Sequence, residues 1–117
     1  MNTIEENNYI NSLTDKCPIR YTLNSLGGKW KLLIIWELYT NEVMRFNELK
    51  RSLTGITNTM LAKSLEELEV EDFIQRKQYN TMPLRVEYRL SDRTETLIPI
   101  LEALVSWGNT QLEQKAE

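Results

Sequence analysis

The chain has 117 residues, 41% of them hydrophobic and 26% charged, with 14 Lys and Arg against 17 Asp and Glu for a formal net charge of −3; that length makes one domain able to bury about two thirds of the surface its unfolded form exposes. One cysteine, Cys17, leaves no intrachain disulfide, and the absence of histidine removes Ser-His triads, Cys/His nucleophiles and Cys/His zinc sites, so we expect no enzyme and no cofactor. No run of 18 or more apolar residues and no basic leader with an apolar stretch behind it occur, and the expectation is a cytoplasmic protein with no membrane contact.

The opening MNTIEENNYINSL carries a sparse apolar set, Ile4, Tyr9, Ile10 and Leu13, on one side of a short helix. Alone such a helix is marginal, so its use is packing against this domain or a second copy; the alternative is a frayed terminus. Cys17-Pro18 marks a boundary, because proline suits the first helical position and disfavours helix at the residue before it. A helix therefore starts at Pro18, is interrupted at Gly27-Gly28, and resumes as KWKLLIIWEL with Trp30, Leu33, Ile34 and Leu38 facing inward. The GGK sequence lacks the spacing of a phosphate loop and no strand precedes it, so it reads as close helix packing. Trp30 and Trp36 read as core or interface residues.

The stretch RFNELKRSLTGITNTMLAKSLEELEVEDFIQR reads as two helices and a tight turn. Phe46, Leu49 and Leu53 recur on one face of the first helix. Gly55 supplies the backbone reversal, and the Thr57 hydroxyl caps the second helix, which Leu61, Leu65 and Leu68 fasten to the core. The other face of its first two turns carries Asn58, Thr59, Ala62 and Lys63, suited to a helix whose N-terminal end enters a DNA groove. Glu66, Glu67, Glu69, Glu71 and Asp72 follow without a base, so only the N-terminal half can meet phosphates. The alternative at this point is an ordinary helical hairpin with a solvated acidic surface.

FIQRKQY and LRVEYRLS alternate in character around NTMP and read as a β-hairpin. Val86, Tyr88 and Leu90 share one face, and Arg85, Glu87 and Arg89 the other. With Arg76, Lys77 and Arg85 near its tip, the hairpin reads as a wing lying along the sugar-phosphate backbone or in a minor groove; a solvated edge protected by charge is the alternative. The net charge hides a segregation: residues 16–65 hold eight bases against three acids, and residues 73–93 five against two. From Glu95 a last helix carries Leu97, Ile98, Leu101, Leu104, Val105 and Leu112, a stripe wider than a small core needs, which implies a subunit interface.

CPIRYTLNSLGGKWKLLIIWEL, RFNELKRSLTGIT, LAKSLEELE, a wing ending in VEYRLS and a closing IPILEALVSWG occur in that order, and over Cys17 to Gly108 the chain resembles the HxlR-type winged helix-turn-helix regulators, relatives of the MarR type. The resemblance implies a mainly α fold with a β-hairpin wing (α+β) and a homodimeric transcription regulator. Family DNA contacts then fall on Arg45, Thr57, Asn58, Thr59, Lys63 and Arg85. Relatives usually have glycine where Asp72 and Thr94 stand.

The chain is accordingly expected to be one domain over 1–117, with the helix-turn-helix at 45–72, the wing at 73–91, and dimerising helices at 1–16 and 95–117. Ile4, Ile10, Leu101, Leu104, Val105 and Leu112 would lie in the dimer interface. Two recognition helices about a two-fold axis would meet a pseudo-palindromic double-stranded operator, with half-sites about 34 Å apart. Whether the protein represses or activates, and in response to which signal, stays open; a winged-helix module that binds another protein instead of DNA is the alternative function. Cys17 stands before the Pro18 helix beside Lys16 and Arg20, where positive potential favours a reactive sulfur, and the resemblance adds a redox or electrophile sensor; a small apolar packing residue is the other reading.

Overall fold

A computed structural model describes residues 17–116. Ile4 and Ile10 lie outside the described residues. Helix α1 (Pro18–Leu26) begins with Pro18 in its first turn and Cys17 as its N-cap residue, whose carbonyl accepts the Tyr21 amide at 2.8 Å. It ends at Gly27, where an added Cβ would fall 2.2 Å from the Leu23 oxygen, so this glycine has a steric reason that owes nothing to phosphate. Helix α2 (Lys31–Asn41) runs through the middle of the core and buries Ile34, Ile35 and Leu38. Leu33, expected inside, is 45% exposed and Ile35 takes its place. In a helix apolar at nearly every position the inward face is chosen by the neighbours.

The helix-turn-helix consists of α3 (Phe46–Ser52) and α4 (Asn58–Val70). Leu53 closes α3, Gly55 turns at φ +95° against the Trp30 ring, and Thr57 Oγ1 accepts the Met60 amide at 3.1 Å to cap α4. Leu49, Leu61, Leu65 and Leu68 are buried against α2 and the sheet, each stabilising the fold by about 1.5–3 kcal/mol.

The wing is β2 (Ile74–Tyr79) and β3 (Arg85–Leu90), antiparallel, with Tyr79 opposite Arg85 at the tip and Ile74 opposite Leu90 at the base. A third strand, β1 (Val43–Met44), pairs with the other edge of β3, giving the order β1-β3-β2. The hairpin reading omitted this strand, because two residues are too few to show alternation. The chain then makes a 3₁₀ segment (Asp92–Leu97) and helix α5 (Ile98–Ala116), so the long helix starts three residues later than expected.

The end of α4 explains one departure from the family pattern. The Phe73 amide reaches the Leu68 carbonyl at 2.8 Å and the Asp72 amide the Glu69 carbonyl at 2.9 Å, a Schellman closure with buried Leu68 and Phe73 beside it. Asp72 carries the left-handed residue of that motif, at φ 64°, where glycine costs least. Asp72→Gly should therefore raise stability by about 0.5–1 kcal/mol in urea or thermal unfolding; a decrease would mean that the Asp72 side chain contributes more than its backbone costs.

Of α5 only Leu101 is fully buried. Leu101 was expected at a subunit interface and belongs instead to the chain's own core, because it lies on the one turn of α5 that reaches that core. Beyond it Leu104, Val105, Trp107 and Leu112 are exposed, the last two at 66% each. α1 likewise shows Ile19 and Leu23 to solvent.

Candidate nucleic-acid interface

The first turn of α4 is presented outward because Leu61, Leu65 and Leu68 hold the opposite face down. Asn58, Thr59 and Lys63 are all exposed there. The Thr57 oxygen is occupied in capping, so its first role is to set where α4 begins. The positive end of the helix dipole and the free amides of the first turn point the same way as these side chains.

At the other end of α3 the Arg45 amide donates to Glu48 Oε1 at 2.7 Å, which fixes the entry into that helix and leaves the Arg45 side chain exposed. Between the start of α3 and the wing lies an open cleft of about 610 Å³, lined by Arg45, Asn47, Glu48 and Arg51 on one side and by Leu84 and Arg85 on the other. Arg45, Arg51 and Arg85 thus line one cleft with Glu48, Arg85 being also within 3.4 Å of Glu87, an arrangement that favours an anion such as a backbone phosphate. Arg51 was not among the expected contacts. Its only signal was its position four residues after Asn47, which puts both on the side of α3 that the fold turns towards the wing.

Register divides the wing cations. Lys77 opposite Glu87, and Tyr79 opposite Arg85, occupy one face with Arg89; Arg76, opposite Tyr88, occupies the other. On the first face Arg85 rests 4.1 Å and Lys77 4.9 Å from the centre of the Tyr79 ring. Glu87 lies within 3.4 Å of Arg85 and 3.6 Å of Arg89, so one acid is shared by two arginines and the face keeps a positive excess. Of Arg76, Lys77 and Arg85, expected near the tip, Arg76 lies on the other face of the hairpin. It sits further down, on the side facing α4, in a recess with Glu66 and Glu69. Adjacent strand residues point to opposite faces, so Arg76 and Lys77 cannot share one.

The acidic half of α4 is turned to other work. Lys31 of α2 bonds Glu67 at 2.9 Å and the Ser25 carbonyl at 3.2 Å, joining α1, α2 and α4. The hydrogen bond from Lys31, aided by the charges of Lys31 and Lys63, holds the Glu67 carboxyl below its ordinary 4.5. The pair's stabilisation is therefore complete above pH 4.5 and disappears as the pH falls through the lower folded value. Lys31→Met should flatten the acid limb of the unfolding curve; an unchanged limb would show that Glu67 is fully screened by solvent.

Cys17 is half-buried at the head of α1. Among the described residues no helix is long and apolar enough to cross a membrane, and no group of three or more acids or cysteines is arranged to hold a metal ion.

A helix-turn-helix followed by a β-hairpin that packs against the second helix defines a winged helix-turn-helix DNA-binding protein. Residues 25–116 match the model of the HxlR-like helix-turn-helix family, and the chain belongs to that family of transcription regulators. It is 42% identical to the HTH-type transcriptional regulator YdzF of Bacillus subtilis over 104 residues, covering 87% of this chain and 95% of YdzF. With the HTH-type regulator BH0655 of Halalkalibacterium halodurans identity is 47% over 91 residues, covering 78% and 80%. Among solved structures, the regulator YtcD superposes with a TM-score of 0.78 at 41% identity, over 82% of this chain and 97% of that one. The redox regulator HypR in its oxidised form superposes at 0.76 with 37% identity, over 80% and 96%.

Proposed function

We propose that this regulator acts in the cytoplasm as a homodimer on a pseudo-palindromic operator. In each half-site Asn58, Thr59 and Lys63 meet base edges in the major groove, while Arg45, Arg51, Arg85 and Lys77 grip the backbone on either side. The observation that carries this reading is the presence of Arg45, Arg51 and Arg85 on the lining of one cleft between the start of α3 and the wing. Arg76, set beside Glu66 and Glu69, contributes less. The apolar row Leu104, Val105 and Leu112 of α5, with Trp107, supplies the dimer surface. A protein-binding module without DNA contact would not call for three arginines on the lining of one cleft.

The test is binding to the DNA flanking the protein's own coding region, and to random duplex, as salt is raised. A specific complex weakens steeply, each neutralised phosphate adding about 0.9 to the logarithmic slope. A slope near zero, or equal affinity for both duplexes, would reject the reading.

Cys17 makes a redox or electrophile response the second part of the proposal. The support is the likeness to HypR, known in oxidised and reduced forms, together with the place of Cys17 at the N-terminal end of α1. With no second cysteine in the sequence, oxidation to a sulfenic acid would resolve with Cys17 of a partner subunit or with a small thiol. Titrating a mild oxidant or a quinone should weaken operator binding several-fold in the parent and leave Cys17→Ser unaffected. Parallel behaviour of the two would make Cys17 a packing residue.

A further inference from the structure

The segment that leaves the wing closes the end of the recognition helix. Three successive carbonyls there accept side-chain hydrogen bonds from it: Arg93 donates to Glu71, Ser91 to Asp72, and Thr94 to Phe73 at 2.5 Å. Thr94 is fully buried in doing so. Arg93 goes further than the other two. Its guanidinium lies 4.2 Å from the centre of the Phe73 ring, and its second nitrogen donates to the Tyr21 hydroxyl of α1 at 2.7 Å. One side chain thereby joins the C-terminal end of α4, the base of the wing and α1. It also stands within the 3₁₀ segment that leads directly into α5.

The place of this contact decides its use. A helix C-terminus carries partial negative charge on its free carbonyls, so a cation bonded to Glu71 stabilises the end of α4. A charge at a helix end could do that from any direction. A planar fork bonded in two directions also fixes an angle, because its donors diverge in a fixed geometry. The two elements it joins have different uses: α4 would meet DNA, whereas α1 leaves Ile19 and Leu23 bare for assembly.

We infer that Arg93 is a positioning residue for operator recognition, a strap that sets the tilt of α4 relative to α1 and α5 and so the distance between the two reading heads of a dimer. The inference rests on the homodimeric reading above. It makes selectivity for half-site spacing depend on a side chain that touches no DNA, while affinity for a single backbone is left to the cations of the cleft.

The experiment uses the full chain and a duplex operator recovered from a randomised pool, with versions in which one or two base pairs are inserted at its centre. The parent should discriminate strongly against the altered spacings. Tyr21→Phe removes the bond to α1 and leaves Arg93 on Glu71 and Phe73; its discrimination should fall by about two- to tenfold, with unchanged affinity for random duplex. Arg93→Lys should fail to restore it, since an ammonium lacks the planar fork. Arg93→Ala should fall at least as far, and because it also uncovers Phe73 the Tyr21→Phe result is the deciding one. A parent that discriminates beside a Tyr21→Phe that discriminates equally overturns this inference alone. A Tyr21→Phe that sediments as a monomer overturns it too, by placing the hydroxyl in the interface. A parent indifferent to spacing overturns the two-headed reading and this inference with it.

Discussion

A chain carrying Leu104→Glu and Leu112→Glu should keep its helical signature, sediment as a monomer, and lose operator affinity by roughly a hundredfold or more. The expectation follows from where α5 is supported. Leu101 is its only fully buried residue, so two carboxylates placed beyond it disturb no part of the core. In a dimer those positions would become buried, and an unpaired carboxylate out of water costs more than an apolar contact returns. Once the subunits part, each reading head binds alone, and the gain from tethering two half-sites is lost. Sedimentation and operator titration on the same preparation check both halves of the claim. A folded monomer that binds as tightly as the parent would mean that one head suffices.

The second large effect separates reading from gripping. Asn58→Ala or Thr59→Ala should cost about 1–3 kcal/mol on the operator and little on random duplex, because each removes a side chain exposed at the mouth of α4. Arg85→Ala should weaken both duplexes and lower the salt slope by about one. Arg45→Ala and Arg51→Ala should resemble Arg85→Ala, since the three line one cleft. Uniform loss across all duplexes for both classes of variant would show that α4 grips backbone and reads no bases.

Much of this was legible in the chain. The leucine stripe of α4, the Gly55 turn, the Thr57 cap and the alternation of Val86, Tyr88 and Leu90 are local rules, and the fold obeys them. Where sequence reading failed, the deciding term was tertiary. Leu33 and Ile35 cannot be ranked inside KLLIIWEL, because periodicity needs polar residues to mark the outer face. Val43–Met44 is a strand only because β3 offers it an edge. Arg76 and Lys77 look alike in the sequence and are parted by the pleat. Arg51 carried only its spacing from Asn47 and Arg93 no local signal, since each takes its place from elements distant in sequence, Arg51 from the wing and Arg93 from Tyr21, 72 residues away. Asp72 and Thr94, where the resemblance implies glycine, found different answers: Asp72 bears a left-handed backbone, and Thr94 makes a buried hydroxyl bond.

The bare stretch of α5 has a consequence for the cell as well as for the molecule. If this face pairs two chains, as proposed above, its burial and the meeting of the chains form one equilibrium. A regulator so built would measure its own abundance. At low copy number single chains would predominate and the operator would be left vacant; as synthesis proceeds, pairing and occupancy would rise together with the square of chain concentration. Promoter control would then begin at a threshold in gene dosage set by the hydrophobicity of Leu104, Val105, Trp107 and Leu112, the exposed apolar residues of α5, and each of these positions would be a place where that threshold is tuned without altering which sequence is read.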